Sequence, residues 1–237
     1  MHKKTPFSFL TSFHLKIIAL SAMTLDHVSV VFFGTETTLL RNIGRLCFPL
    51  IAFMISEGVR YTKNKRKYIL SMGIFALISE IPYNLAFYGG FSEIKEQNVY
   101  FTLFFGVIAV SVLDELIKNK KAYLAVFVGL FTGLAAYFFG GDYGFMGIIV
   151  CMGMYLSSLL PMGMNLIGYA ISALLTTIVF IPPLNIGYRE SQLPAVLAVI
   201  PIMLYNGKKG MKLNKYLFYG YYPLHLIILY AVHTLLA

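Results

Sequence analysis

Tryptophan is absent from this chain, cysteine occurs twice, and charged residues make up only 12% of it. Each shortage closes off a class of protein. Soluble domains carry about 25% charged and about 45–50% apolar residues. Here the apolar share is 58%, raised along the whole length rather than in one tail. A water-soluble core of this size cannot hide that much apolar surface, so lipid must take the rest. Cys47 and Cys151 each lie inside an apolar run with no CxxC or His spacing nearby. They give neither a disulfide framework nor a zinc site, and both read as small buried hydrophobes; no metal is expected. Acidic residues are scarce as well, 10 against 19 Lys+Arg. The net charge of +9 would point to nucleic acid only on a soluble module with a basic face. In this chain the basic residues sit in short clusters between apolar runs, as cytoplasmic loops of membrane proteins do. No nucleic-acid partner is expected. GxSxG, HExxH and Walker glycine loops are also missing, which removes the common soluble hydrolase, zinc protease and P-loop readings.

What remains is apolar sequence with polar punctuation. A membrane-spanning helix needs about 20 mostly apolar residues. By that length the sequence predicts an all-α integral membrane protein, a polytopic bundle of about nine transmembrane helices forming one domain over 1–237. The helices are expected near 15–34, 43–60, 68–88, 99–117, 122–140, 143–160, 164–183, 192–206 and 216–236. The eighth is short and bracketed by Pro194 and Pro201, which marks it as tilted, broken or re-entrant. Lys3 and Lys4 followed by the run from Leu15 to Phe33 mimic a signal peptide. The run is longer than a usual h-region and no A-x-A-like site follows, so it reads as a retained first helix. With the N-terminus cytoplasmic, the inner segments hold fourteen of the 19 basic residues. The outer segments hold only Arg41, Arg45, Lys95 and Arg189, as the positive-inside rule requires. The 17 Tyr must supply the interfacial belt that Trp usually shares. No internal repeat is evident, which argues against a transporter built from inverted repeats.

Ionisable side chains cost about 2.5–3.5 kcal/mol at the bilayer centre on insertion scales, so each one inside a span is a functional candidate. The first helix carries Lys16, Asp26 and His27. Eleven steps of about 100° return Lys16 and His27 to one face, about 16 Å apart along the axis. Asp26, one step round, is a candidate to orient or charge-compensate the imidazole. In the second helix Glu57 and Arg60 are spaced to pair, and Arg45 near the outer end is a candidate to meet substrate. The third carries Ser79-Glu80-Ile81-Pro82-Tyr83-Asn84. Glu80 falls in the same outer half as His27, beside a proline that loosens the helix. Asn84 and Asn98 add polarity at that level. Gly140-Gly141-Asp142-Tyr143-Gly144 is a very short outer turn bearing one carboxylate, whose alternative is a helix cap. His225 falls near mid-membrane in the last helix. The Gly129/Gly133 spacing reads as helix–helix contact.

The order of these pieces resembles the TraX family of bacterial inner-membrane proteins, named for the enzyme that N-acetylates conjugative pilin. The stretches that carry the resemblance are KIIALSAMTLDH from Lys16 to His27, GRLCFPLIAFMISEGVR from Gly44 to Arg60 and FALISEIPYNL from Phe75 to Leu85. NVYFTL from Asn98, DYGFMG from Asp142 and FYGYYPLHL from Phe218 continue it, in order, across nearly the whole chain. The family looks related to a wider group of transmembrane acetyltransferases acting on surface sugars and glycosaminoglycans. Many bacterial members of that group carry a basic residue ahead of a histidine in the first helix. Lys16 and His27 match that pattern, with Lys where Arg is common.

The resemblance implies acetyl-CoA bound from the cytoplasm and acetyl passed to an envelope acceptor, a pilin N-terminal amine or a surface glycan. His27 is then the general base or acetyl carrier, held by Asp26 or Glu80. Arg45, Asn84, Asp142 and His225 are candidates to bind the acceptor or an oxyanion. Lys16, Arg60, Lys63, Arg66 and Lys67 are candidates for the CoA phosphates. The competing expectation is a proton-coupled transporter with Asp26, His27, Glu80 and His225 as its relay.

Overall fold

The first apolar run folds as helix α1, Ser12–Phe33, in a computed structural model that describes residues 8–34, 39–90, 96–181, 185–188, 190–212 and 214–236. Lys3, Lys4, Lys95 and Arg189 of the charge count lie outside those residues. His14 takes the place that Glu usually has in a capping box: the Thr11 N–H donates to its Nδ1 at 3.1 Å.

The expected second helix is two. α2 spans Leu39–Gly44 and α3 spans Cys47–Tyr61. Pro49 supplies the reason. It has no N–H for the carbonyl of Arg45, and its ring crowds that carbonyl, which favours a kink or break one turn before it. The chain therefore breaks just before Cys47. α4, Lys65–Tyr88, is capped by Asn64, whose side chain accepts the Lys67 N–H at 2.8 Å. It continues through Pro82 without ending. α5, Val99–Lys118, is capped by Asn98. α6 spans Ala125–Phe138, α7 Gly144–Ser157 and α8 Met164–Leu174.

The seventh expected helix, 164–183, stops early. A 3-10 turn, Leu175–Thr177, leads into strand β1, Ile178–Ile181, paired antiparallel with β2, Asn185–Tyr188. The β-branched run Thr176-Thr177-Ile178-Val179 favours extended backbone over helix. The eighth, 192–206, is a 3-10 run over Glu190–Ala198 followed by a five-residue helix α9, Val199–Met203. α10 spans Lys215–Leu236.

The protein is thus predominantly helical. Among the described residues, four segments are long and apolar enough to cross a membrane: Ser12–Phe33, Leu39–Tyr61, Lys65–Tyr88 and Val99–Lys118. Four further apolar helices are shorter. A face of α4 built from Leu70, Ile74, Leu77, Ile78 and Ile81 is exposed, as are Phe127 and Phe131 of α6 and Ile167 and Ile171 of α8. Apolar belts of that extent mark a surface that faces a membrane or a partner, and on helices of spanning length they fit lipid.

Helices α1 and α10 run parallel. Their contacts rise together along both, from Lys16–Phe218 through Thr24–Tyr221 and His27–His225 to Phe32–His233. One end of the bundle is basic and tied by ions. Buried Asp114 of α5 receives Lys65 from α4, Lys118 from its own helix at 2.7 Å, and the Tyr155 hydroxyl of α7 at 2.6 Å. Glu57 and Arg60 pair at 3.8 Å at that end. The loop after α9 joins it through backbone bonds to Ser12 and Phe13. In the middle, Phe53 and Tyr169 meet edge to face at 5.3 Å among fully buried Leu103, Val107 and Met154. On α6 a Cβ at Gly133 would strike the Phe145 ring of α7 at 2.6 Å, so that glycine sits at a helix contact.

Candidate functional site

A cavity of about 560 Å³ opens at the end of the bundle opposite the basic one. Its walls come from the last turns of α1 and α4, the α2–α3 break, the α6–α7 turn, the 3-10 segment before α9, and α10. Asp26, His27, Arg41, Arg45 and Asp142 all line it. With Glu96 beside them, charged and imidazole side chains from four separate stretches of the chain are gathered around one space.

The break before Pro49 places Arg45 there. Arg41 and Arg45, one turn apart, each point a guanidinium toward Asp26 Oδ1 at 3.9 Å. Gly44 allows the approach: a Cβ at that position would lie 2.4 Å from Asp26 Cβ and 2.7 Å from Oδ1. Arg45 is 9% exposed, and its Nε has no hydrogen-bond partner among the described residues. Buried donors of that kind are rare and costly, so this N–H is a candidate to meet an incoming oxygen. Asp142 is carried by the α6–α7 turn, where Gly140 takes φ +75°, a value open to glycine at no steric cost. Beside it Tyr143 stacks on Phe48 with ring centroids 3.7 Å apart.

The imidazole of His27 meets Phe87 edge to face at 5.2 Å and Tyr222 at 5.9 Å. Its Nδ1 lies 2.7 Å from Nε2 of His225, and His225 Nδ1 lies 2.9 Å from the Tyr221 carbonyl oxygen. The register between the two helices is set one turn earlier. Thr24 Oγ1 donates to the Leu20 carbonyl at 2.9 Å, so the Tyr221 hydroxyl donates to Thr24 at 2.7 Å. Pro223 has no N–H to offer the Tyr219 carbonyl, which accepts the Tyr100 hydroxyl instead at 3.0 Å.

The partner of the imidazole is thus His225, neither Asp26 nor Glu80. Asp26 is one residue from His27, and the step of about 100° turns it to the arginines. Glu80 faces α5: Asn98 Nδ2 donates to its Oε2 at 2.5 Å and to the Ala76 carbonyl at 2.9 Å, while Asn98 Oδ1 accepts the Tyr100 N–H. Glu80 therefore pins the start of α5 to α4. Asn84 is buried outside the cavity lining, and His225 stands behind His27 rather than in the wall.

Of the residues expected to meet CoA phosphates, none lines the cavity. Lys16 is half-buried over the Phe218 ring at 5.1 Å. Arg60 pairs with Glu57 and donates to the Ser158 hydroxyl at 3.2 Å. Lys63, Arg66 and Lys67 are exposed at the basic end. Gln192, 4% exposed and lining the cavity, was not legible as a site residue, because its segment read as the start of a spanning helix. Among the described residues no three His, Cys, Asp or Glu side chains gather closely enough to hold a metal ion.

Comparison with known proteins gives a consistent assignment. The chain is 27% identical to the probable fimbrial assembly protein FimC, serogroup H1, of Dichelobacter nodosus, over 92% of this chain and 94% of that protein. No solved structure matches it. The family model described as TraX protein matches residues 12–233, which include every cavity residue named above, and the chain belongs to the TraX family.

Proposed function

We propose that the protein is an acetyl-CoA-dependent acyltransferase of the bacterial cytoplasmic membrane. It is one domain of about nine membrane segments with its N-terminus and basic end in the cytoplasm. The acceptor is an envelope group, a pilin amine or a surface glycan. Family membership and the fimbrial name of the relative support a pilus-related acceptor. The observation that carries the chemistry is the His27 imidazole at the wall of a cavity that gathers ionisable side chains and also presents a buried arginine Nε–H without a partner among the described residues.

In this reading His27 takes the proton of the acceptor amine or hydroxyl while that atom's lone pair forms a bond to the acetyl carbonyl carbon. Arg45 donates to the oxyanion that develops. The carbon–sulfur bond then breaks, and the CoA thiolate recovers the proton from His27. Asp26 acts on the arginines, holding both aimed at one point and offsetting their charge. Lys16, Arg60, Lys63, Arg66 and Lys67 bind the CoA phosphates, with about 16 Å between Lys16 and His27 for the thioester arm to cover. A proton relay through Asp26, His27, Glu80 and His225 has less support, since only His27 and His225 touch.

The test uses purified protein in liposomes with radiolabelled acetyl-CoA. The reading expects saturable binding and CoA release that depend on His27. Failure to bind or to turn over acetyl-CoA, with pH-gradient-driven uptake of a solute instead, would replace it with a transporter.

A further inference from the structure

A neutral imidazole has one N–H donor and one lone pair, and which nitrogen carries the proton is set by its partners. At the end of the chain of contacts stands the Tyr221 carbonyl, which only accepts. His225 Nδ1, 2.9 Å away, must therefore carry the proton of that ring. Its Nε2 then offers only a lone pair, so the 2.7 Å contact requires the proton of the facing ring on His27 Nδ1. The nitrogen left with a free lone pair is His27 Nε2. The opposite polarity would set a His225 lone pair against the lone pairs of the carbonyl oxygen.

We propose that His225 is a positioning residue that holds His27 in the Nδ1–H tautomer and so makes Nε2 the reactive nitrogen. This rests on the reading of His27 as base. The two rings lie within 9° of parallel, and the Thr24–Tyr221 bond one turn below fixes their register. Orientation is thus supplied by a backbone carbonyl through a neutral ring, where other histidine bases use a carboxylate. Asp26 is left to the arginines. When Nε2 takes a proton from the acceptor, the Nδ1–H bond to His225 becomes charge-assisted and stronger, which favours the proton-bearing state without a second buried charge.

The test combines a spectrum with kinetics. Nitrogen-15 NMR of histidine-labelled protein in nanodiscs, with the His27 signals assigned by their loss in His27→Gln, is expected to show His27 as the Nδ1–H tautomer. His225→Phe removes the acceptor and should mix the tautomers, lowering kcat about 10²–10³-fold with KM for acetyl-CoA little changed. His225→Gln, whose amide oxygen accepts from Nδ1, should recover at least about tenfold of that loss. A wild-type Nε2–H tautomer overturns the proposal, as does unchanged kcat in His225→Phe. If His225→Phe does not fold, the wild-type spectrum decides alone. An Nδ1–H tautomer in a protein without transfer activity would overturn the enzymatic reading and leave the tautomer assignment standing.

Discussion

Replacing Gly44 by alanine adds one methyl group at the closest point between α1 and α2. The new Cβ would stand 2.4 Å from Asp26 Cβ, where ordinary contact begins near 3.4 Å. The helices must open by about 1 Å to admit it, at an overpacking cost of about 1–3 kcal/mol. Alanine returns at most about 1 kcal/mol of helix propensity, so net stability should fall by roughly 0–2 kcal/mol. Function should suffer more. The Arg41 and Arg45 contacts with Asp26 are already 3.9 Å long, and a 1 Å misplacement of catalytic groups costs about 10²-fold in rate. The assay is the initial rate of acetyl transfer with thermal unfolding of the same preparation. Coupling with Asp26→Gly, which vacates the space, should recover the packing penalty. A Gly44→Ala protein with wild-type rate and wild-type melting temperature would refute the geometry of this wall.

Other expectations follow from the same contacts. Asp114→Asn leaves Lys65 and Lys118 only the exposed Glu115 carboxylate and should cost about 1–3 kcal/mol, read as a lower melting temperature; an unchanged one would mean the cluster is solvent-screened. Asn98→Ala removes a helix cap and leaves the Glu80 carboxylate only the residue-98 backbone N–H at 3.4 Å, for a combined loss of about 1–3 kcal/mol; equal stability to wild type would return Glu80 to the list of candidate catalytic groups. A cysteine replacing Lys67 should react with an impermeant thiol reagent from the cytoplasmic face alone, and one replacing Glu96 from the other face alone. Labelling of both from one face would overturn the orientation.

Much of this arrangement was readable in advance where it depends on a single helix. Eleven residues separate Lys16 from His27, and both do face α10, against Phe218 and His225. The Glu57–Arg60 pair follows from its spacing in the same way. Contacts between helices were less legible, because helical periodicity gives a face but not the neighbour it meets. Asp26 beside His27 suggested a pair, yet the turn between adjacent residues sends them to different partners. Glu80 beside Pro82 looked like a reactive carboxylate, while its role in the fold is to receive Asn98. The break that delivers Arg45 was written in Pro49, but a run apolar enough to span concealed it. The hairpin after α8 was hidden for a similar reason, since isoleucine and valine serve lipid-facing helices and strands alike.

The central claim is that His27 is the base at the wall of this cavity. Acetyl transfer by reconstituted His27→Ala protein, normalised to folded protein, tests it most directly. The account predicts a loss of about 10²–10⁴-fold in kcat with acetyl-CoA binding retained, since the cations proposed to hold its phosphates lie at the other end of the bundle. Transfer at the wild-type rate would contradict it.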